Sequence, residues 1–217
     1  MMHCRSSRPG LQPTRTECAP LPRLMTLTRI HMPILDAETD IFPGDLFDRE
    51  SWTEDAEQQW WALYTRSRCE KELMRRLKSH GIAYYGPTVE KRGRTPRGRA
   101  LKSFVPLFPN YVFMFGNASE RYAALQTNCV SRDISVIDGA LLAQDLKHLR
   151  QMIMSGIPVL PESRLEPGLR VRVRSGPLAG QEGTVLRRRG ETRLLVAVRF
   201  LQQGASVLID ECDLEKI

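Results

Sequence analysis

The sequence predicts an α+β domain, an antiparallel sheet with flanking helices, followed by a small all-β barrel. Three observations carry that reading. Between 59 and 156, apolar spacing runs strand-helix-strand-strand-helix-strand-helix with hairpin-length connections. From 165 to 217 the period changes to two, and Gly-rich turns separate short strands, as in a barrel closed to remove its edges. Between these stretches, Pro158 and Pro161 mark a linker over 157–164.

Residues 1–58 show no sustained period and are rich in Pro, Asp, Glu and Thr. They are predicted to be a disordered extension, because they cannot bury enough apolar surface to offset chain entropy. Met25 and Met32 offer alternative translation starts. Order begins at Gln59, and Trp60-Trp-Ala-Leu-Tyr64 suits a buried strand. Residues 69–80 place Leu73, Met74 and Leu77 on one face and Arg75, Arg76 and Lys78 on the other, with Gly81 as the stop. Strand pieces at 82–85 and 88–91 flank Gly86-Pro87. A basic hairpin tip follows over 91–102, with six cations and no acid. Strands at 101–107 and 111–115 surround Pro109-Asn110; 119–127 reads as a short helix, 130–137 as a strand and 143–155 as a third helix. In the last segment Leu169, Val171 and Val173 alternate with Arg170, Arg172 and Arg174, giving one buried and one cationic face. The valines here favour strands over helix.

The 217-residue chain carries 32 Lys and Arg against 25 Asp and Glu, a net charge of +7. The charge is uneven: residues 36–58 sum to −8, residues 59–163 to +8 and residues 164–217 to +3. Basic folded segments imply a polyanionic partner, which in the cytoplasm is usually nucleic acid. No run approaches the ~18 apolar residues of a membrane span, and Pro9, Pro13, Pro20 and Pro22 break any secretory signal. A cytoplasmic protein without membrane contact is expected. The five cysteines are scattered and lack metal-ligand spacing, so reduced thiols are expected, with no metal and no cofactor. His3, His31, His80 and His148 are isolated, and no nucleophile, phosphate-loop or paired-carboxylate arrangement is present. The chain reads as a non-enzyme. Glu70 and Glu72, beside the cations of the first helix, read as intrahelical ion-pair partners.

Two motifs in order carry a family resemblance. The segment from Glu166 to Leu186, with Gly176-Pro177 and Gly183 at its turns, resembles a KOW motif of the SH3-like barrel type. Trp60-Trp-Ala-Leu-Tyr-Thr65, then Pro87, Val89 and Glu90, then Pro106-Leu-Phe-Pro-Asn-Tyr-Val-Phe113 resemble the N-terminal (NGN-type) domain of NusG transcription elongation factors. The Pro-Leu-Phe-Pro-Asn-Tyr segment is similar to the RfaH-like antiterminator branch. The resemblance spans 59–217. It implies an NGN-type domain over 59–156, a KOW domain over 165–217, and a monomer that docks on the RNA polymerase clamp and suppresses pausing or termination.

Carried onto this sequence, the resemblance implies a polymerase-binding surface of Tyr64, Phe108, Pro109, Tyr111 and Phe113. Aromatics flanking a Pro-Asn turn suit an interface anchor. Tyr111 and Phe113 cannot easily both serve, because one face of their strand must point inward; the surface reading is preferred for Phe108 and Tyr111. Arg66, Arg75 and Arg76 are implied to meet non-template DNA, while Arg94, Arg97 and Arg99 on the hairpin reach upstream DNA. Arg170, Arg172, Arg174, Arg187, Arg188 and Arg189 form an expected cationic strip for RNA or DNA on the KOW domain. Rho or a ribosomal protein are the family's other partners for that domain. Two positions depart from the family pattern. Residues 122–124, Tyr-Ala-Ala, stand where the RfaH type carries a polar gate-loop turn, and Gln181 stands where NusG exposes an aromatic. The competing reading is a KOW-containing RNA- or ribosome-binding protein that does not act on polymerase.

Overall fold

The computed structural model describes residues 39–48, 57–94, 98, 100–164, 168–188, 190–210 and 213–217. The first sheet is antiparallel and ordered β1-β3-β6-β2-β7. Its strands are β1 (Ile41–Phe42), β2 (Gln59–Thr65), β3 (Ala83–Tyr85), β6 (Tyr111–Gly116) and β7 (Val130–Ser135). Register pairs Trp60 with Phe115 and Tyr64 with Tyr111. Alternation then sends Trp60, Ala62, Phe113 and Phe115 to one face and Trp61, Leu63, Val112 and Met114 to the other. Both faces are covered, which is why β2 reads as an almost unbroken apolar run.

Helix α1 (Glu70–Ser79) buries Leu73, Met74 and Leu77 in the cluster that holds Trp61 and Leu63. Each such burial contributes about 1.5–3 kcal/mol. Its end is fixed by Gly81 at φ +70°, where the Gly81 N–H donates to the Lys78 carbonyl and the Ile82 N–H to that of Leu77. Those two bonds satisfy carbonyls the helix would otherwise orphan. Helix α2 (Ala118–Gln126) starts on a reciprocal cap. Asn117 Oδ1 accepts from the Glu120 N–H at 2.9 Å, and Glu120 Oε2 accepts from the Asn117 N–H at 2.8 Å. Helix α3 (Gly139–Met154) is capped by Asp138 and lies close to β2, where a Cβ on Gly139 would sit 3.1 Å from Trp60 Cδ1.

Four features depart from the sequence-based expectation. First, part of the expected disordered extension is ordered. Ile41 and Phe42 pair with Tyr85 and Tyr84, and Phe47 stacks on Trp60 at 6.1 Å and meets Tyr85 edge-on at 5.2 Å. A two-residue strand is too short to show a period. Residues 1–38, with Met25 and Met32, lie outside the described residues. Second, β4 (Thr88–Arg94) and β5 (Ala100–Pro106) form a two-stranded ribbon separate from the main sheet.

Third, the expected linker holds a strand. β8 (Val159–Glu162) pairs with β12 (Gln203–Leu208), placing Pro161 opposite Ala205. Proline lacks the donor that a central strand needs, and β8 is an edge strand, where that loss is tolerated. Fourth, the C-terminal strands do not close. With β9 (Leu169–Val173), β10 (Glu182–Arg188), β11 (Glu191–Val198) and β13 (Leu214–Lys216), they make an open antiparallel sheet ordered β13-β9-β10-β11-β12-β8. Val171, Val173, Leu194, Val196, Val198, Ala205 and Val207 are buried on its inner face, in one cluster with Leu142, Leu146, Leu149 and Met152 of α3. Helix α3 packs against both β2 and β11 and supplies apolar cover that a closed barrel would take from its own strands. Leu169, expected in the core, is half exposed at the start of β9. Gly183 has a geometric reason: a Cβ there would lie 2.5 Å from the Leu195 carbonyl oxygen on the next strand.

Candidate nucleic-acid and polymerase interface

The aromatic turn between β5 and β6 divides into an anchor and an exposed rim. Phe108 is 1% exposed and Phe113 fully buried, both in the core cluster beneath the sheet face. This corrects the expectation of an exposed Phe108; truncating it would open a cavity rather than trim a surface. Tyr64 is 37% exposed, Pro109 is exposed and Tyr111 is half-buried. The Tyr64 and Tyr111 rings meet edge-on at 5.1 Å, a favoured aromatic geometry. Tyr111 and Phe113 do share a face, but core packing covers the strand at 113 and thins at 111.

Asn110 holds the turn. Its φ of +66° is a left-handed conformation that Asn tolerates better than most residues. Its N–H donates to Glu70 Oε1 at 2.9 Å, and its carbonyl accepts from the Thr65 N–H at 2.8 Å. Glu70 is therefore not the intrahelical ion-pair partner expected from spacing. Glu72 is: it accepts from Arg76 Nε at 2.8 Å and lies 3.4 Å from Arg75 Nη2. The Arg76 hydrogen bond holds the Glu72 carboxyl below the ordinary carboxylate range. Arg132 of β7 pairs with Tyr64 across the strands and adds an exposed cation at the aromatic rim. Sequence reasoning missed Glu70 and Arg132 in these positions, because both depend on pairings that are distant along the chain.

The basic residues fall on separate surfaces. Arg66 is exposed just past β2, and Arg75 and Arg76 lie on the outer face of α1, with Arg76 also within 3.4 Å of the Thr127 carbonyl. The ribbon carries Lys91, Arg92, Arg94 and Lys102, all exposed, with Glu90 contacting Arg92 at 2.6 Å and Lys102 at 3.5 Å. Arg94 sits at the end of β4 opposite Ala100. Arg97 and Arg99 lie outside the described residues.

The expected strip on the second sheet is divided. Arg170 and Arg172 share one face and both approach Glu182, at 3.6 and 2.5 Å. Arg174 lies past the end of β9, 3.5 Å from the Leu214 carbonyl. Arg187 pairs with Thr192, and alternation along β10 puts it on the opposite face from Glu182. Neither the Arg188 side chain nor Arg189 is among the described features. Gln181 is buried and donates to the His148 carbonyl at 3.0 Å and to Gln151 Oε1 at 2.9 Å, both on α3. Asp145 of α3, 4% exposed, accepts from the Arg199 backbone N–H at 2.9 Å and from its guanidinium at 2.7 Å. That bond raises the Arg199 pKa above its ordinary value.

Among the described residues, no group of three or more His, Cys, Asp or Glu is placed to hold a metal ion. No described helix is long and apolar enough to cross a membrane. Residues 58–139 match the family model described as transcription termination factor NusG. No curated protein matches the chain. The matched stretch contains β2 through β7, the aromatic turn, the ribbon and the basic face of α1.

Proposed function

We propose that this chain is a NusG-family transcription factor of the RfaH-like, antiterminating kind, which binds RNA polymerase at the clamp and suppresses pausing or termination. The observation that carries the reading is the exposed Tyr64–Pro109–Tyr111 rim at the edge of a buried aromatic core, within the stretch that matches the family model. Rigid aromatics with one polar tip supply large contact area at little entropic cost, as interface anchors do. Phe108 and Phe113 act beneath the surface by fixing the turn. Arg66, Arg75 and Arg76 neutralise phosphates of the non-template strand, and the basic ribbon with Arg94 tracks upstream DNA. Residues 59–156 form the polymerase-binding domain, and residues 165–217 form a KOW-type module carried on α3.

The test is retention of purified RNA polymerase on the immobilised full chain. Tyr64→Ala and Tyr111→Ala should each weaken retention by about 1–3 kcal/mol of binding free energy while the circular-dichroism spectrum stays that of the parent. Parent protein that retains RNA but no polymerase would favour an RNA- or ribosome-binding module instead.

A further inference from the structure

We infer that Glu70 is a positioning residue for the polymerase-docking turn, an inference that rests on the function proposed above. Glu70 opens α1 and is buried, although an acid in the first turn of a helix has no need of burial and its neighbour Glu72 is not buried. Its Oε1 receives the Asn110 N–H at 2.9 Å, forty residues along the chain. The Asn110 carbonyl is taken by the Thr65 N–H at 2.8 Å, so the residue with the left-handed backbone is gripped on both sides. One side of that grip comes from the strand that carries Tyr64, the other from the helix that carries Arg75 and Arg76. Pro109 and Tyr111 flank Asn110 directly. The Glu70 bond therefore sets the height of the aromatic rim relative to the basic helix face, and a partner that touches both surfaces needs that relation fixed. Charge-assisted hydrogen bonds to backbone N–H groups are among the stronger ones, this one is partly buried, and breaking it leaves a donor unpaired.

The experiment compares parent, Glu70→Ala and Glu70→Gln as full chains, well below their unfolding temperatures. Amide hydrogen exchange is followed at Asn110 and affinity is measured for purified RNA polymerase. In Glu70→Ala, Asn110 exchange should quicken and polymerase affinity should fall about tenfold, the scale of one lost charge-assisted hydrogen bond. Glu70→Gln keeps an acceptor oxygen and should restore most of the affinity and of the amide protection. A purely structural acid would lower the unfolding midpoint yet leave affinity of the folded protein unchanged. Glu70→Ala binding polymerase as tightly as the parent, or Asn110 exchange unaltered in that variant, overturns the inference alone. A parent chain that fails to bind polymerase overturns the proposed function, and this inference falls with it.

Discussion

Individual residues divide into those that hold the aromatic turn and those that present it. Phe108→Ala should cost about 3–5 kcal/mol of stability, because a buried ring leaves a cavity, whereas Tyr64→Ala should cost far less; urea unfolding of both variants separates them. Tyr85 offers a different test. Its ring is buried, and its hydroxyl is buried with no hydrogen-bond partner among the described residues. Burial pushes the ionisation of that hydroxyl well above its ordinary value. Tyr85→Phe removes an unsatisfied polar group without changing packing, so it should be neutral or stabilise by about 1 kcal/mol in the same assay. The composition around Tyr64 and Tyr111 made the aromatic site visible in the sequence. The order of exposure along it was not visible, because Phe108 and Phe113 are buried in a cluster that also draws in Phe47 and residues of α3, all distant along the chain.

At the scale of elements, strands and helices with a sustained period were legible. α1 is flagged by its apolar face and Gly81, and β9 by alternation of valine with arginine. The elements that escaped notice are short or carry a misleading residue. β1 is two residues long, and β8 contains Pro161, which reads as a linker until the edge position is known. The open second sheet was not legible either, because α3 contributes to its core from outside the strand segment. The close approach at Gly183 makes this sheet testable. Gly183→Ala places a methyl against a backbone carbonyl at 2.5 Å, which cannot be relieved by a rotamer change. A loss of about 1–3 kcal/mol is expected from such overpacking, read as a lower unfolding midpoint for the full chain.

Across the whole molecule, α3 is the shared element. It packs against β2 of the first sheet and β11 of the second, and the Asp145–Arg199 pair and the Gln181 amide fasten the second sheet to it. Residues 165–217 expressed alone should therefore lack cover on the inner face and give exchange-broadened amide spectra, while residues 139–217, which retain α3, should give dispersed ones. Asp145 is buried while Arg199 is half exposed to solvent, which screens the pair. Arg199→Ala should therefore destabilise the full chain by about 1–2 kcal/mol, the scale of a hydrogen bond to a charged group. Function at this scale rests on one claim, that the Tyr64–Tyr111 rim is the surface that meets RNA polymerase. Site-specific photocrosslinking tests it most directly, with a photoreactive phenylalanine analogue placed at Tyr64 and, as a control on the outer face of the second sheet, at Glu215. The account predicts a crosslink to the polymerase clamp from position 64 and none from position 215. A clamp crosslink from 215 with none from 64 would contradict it.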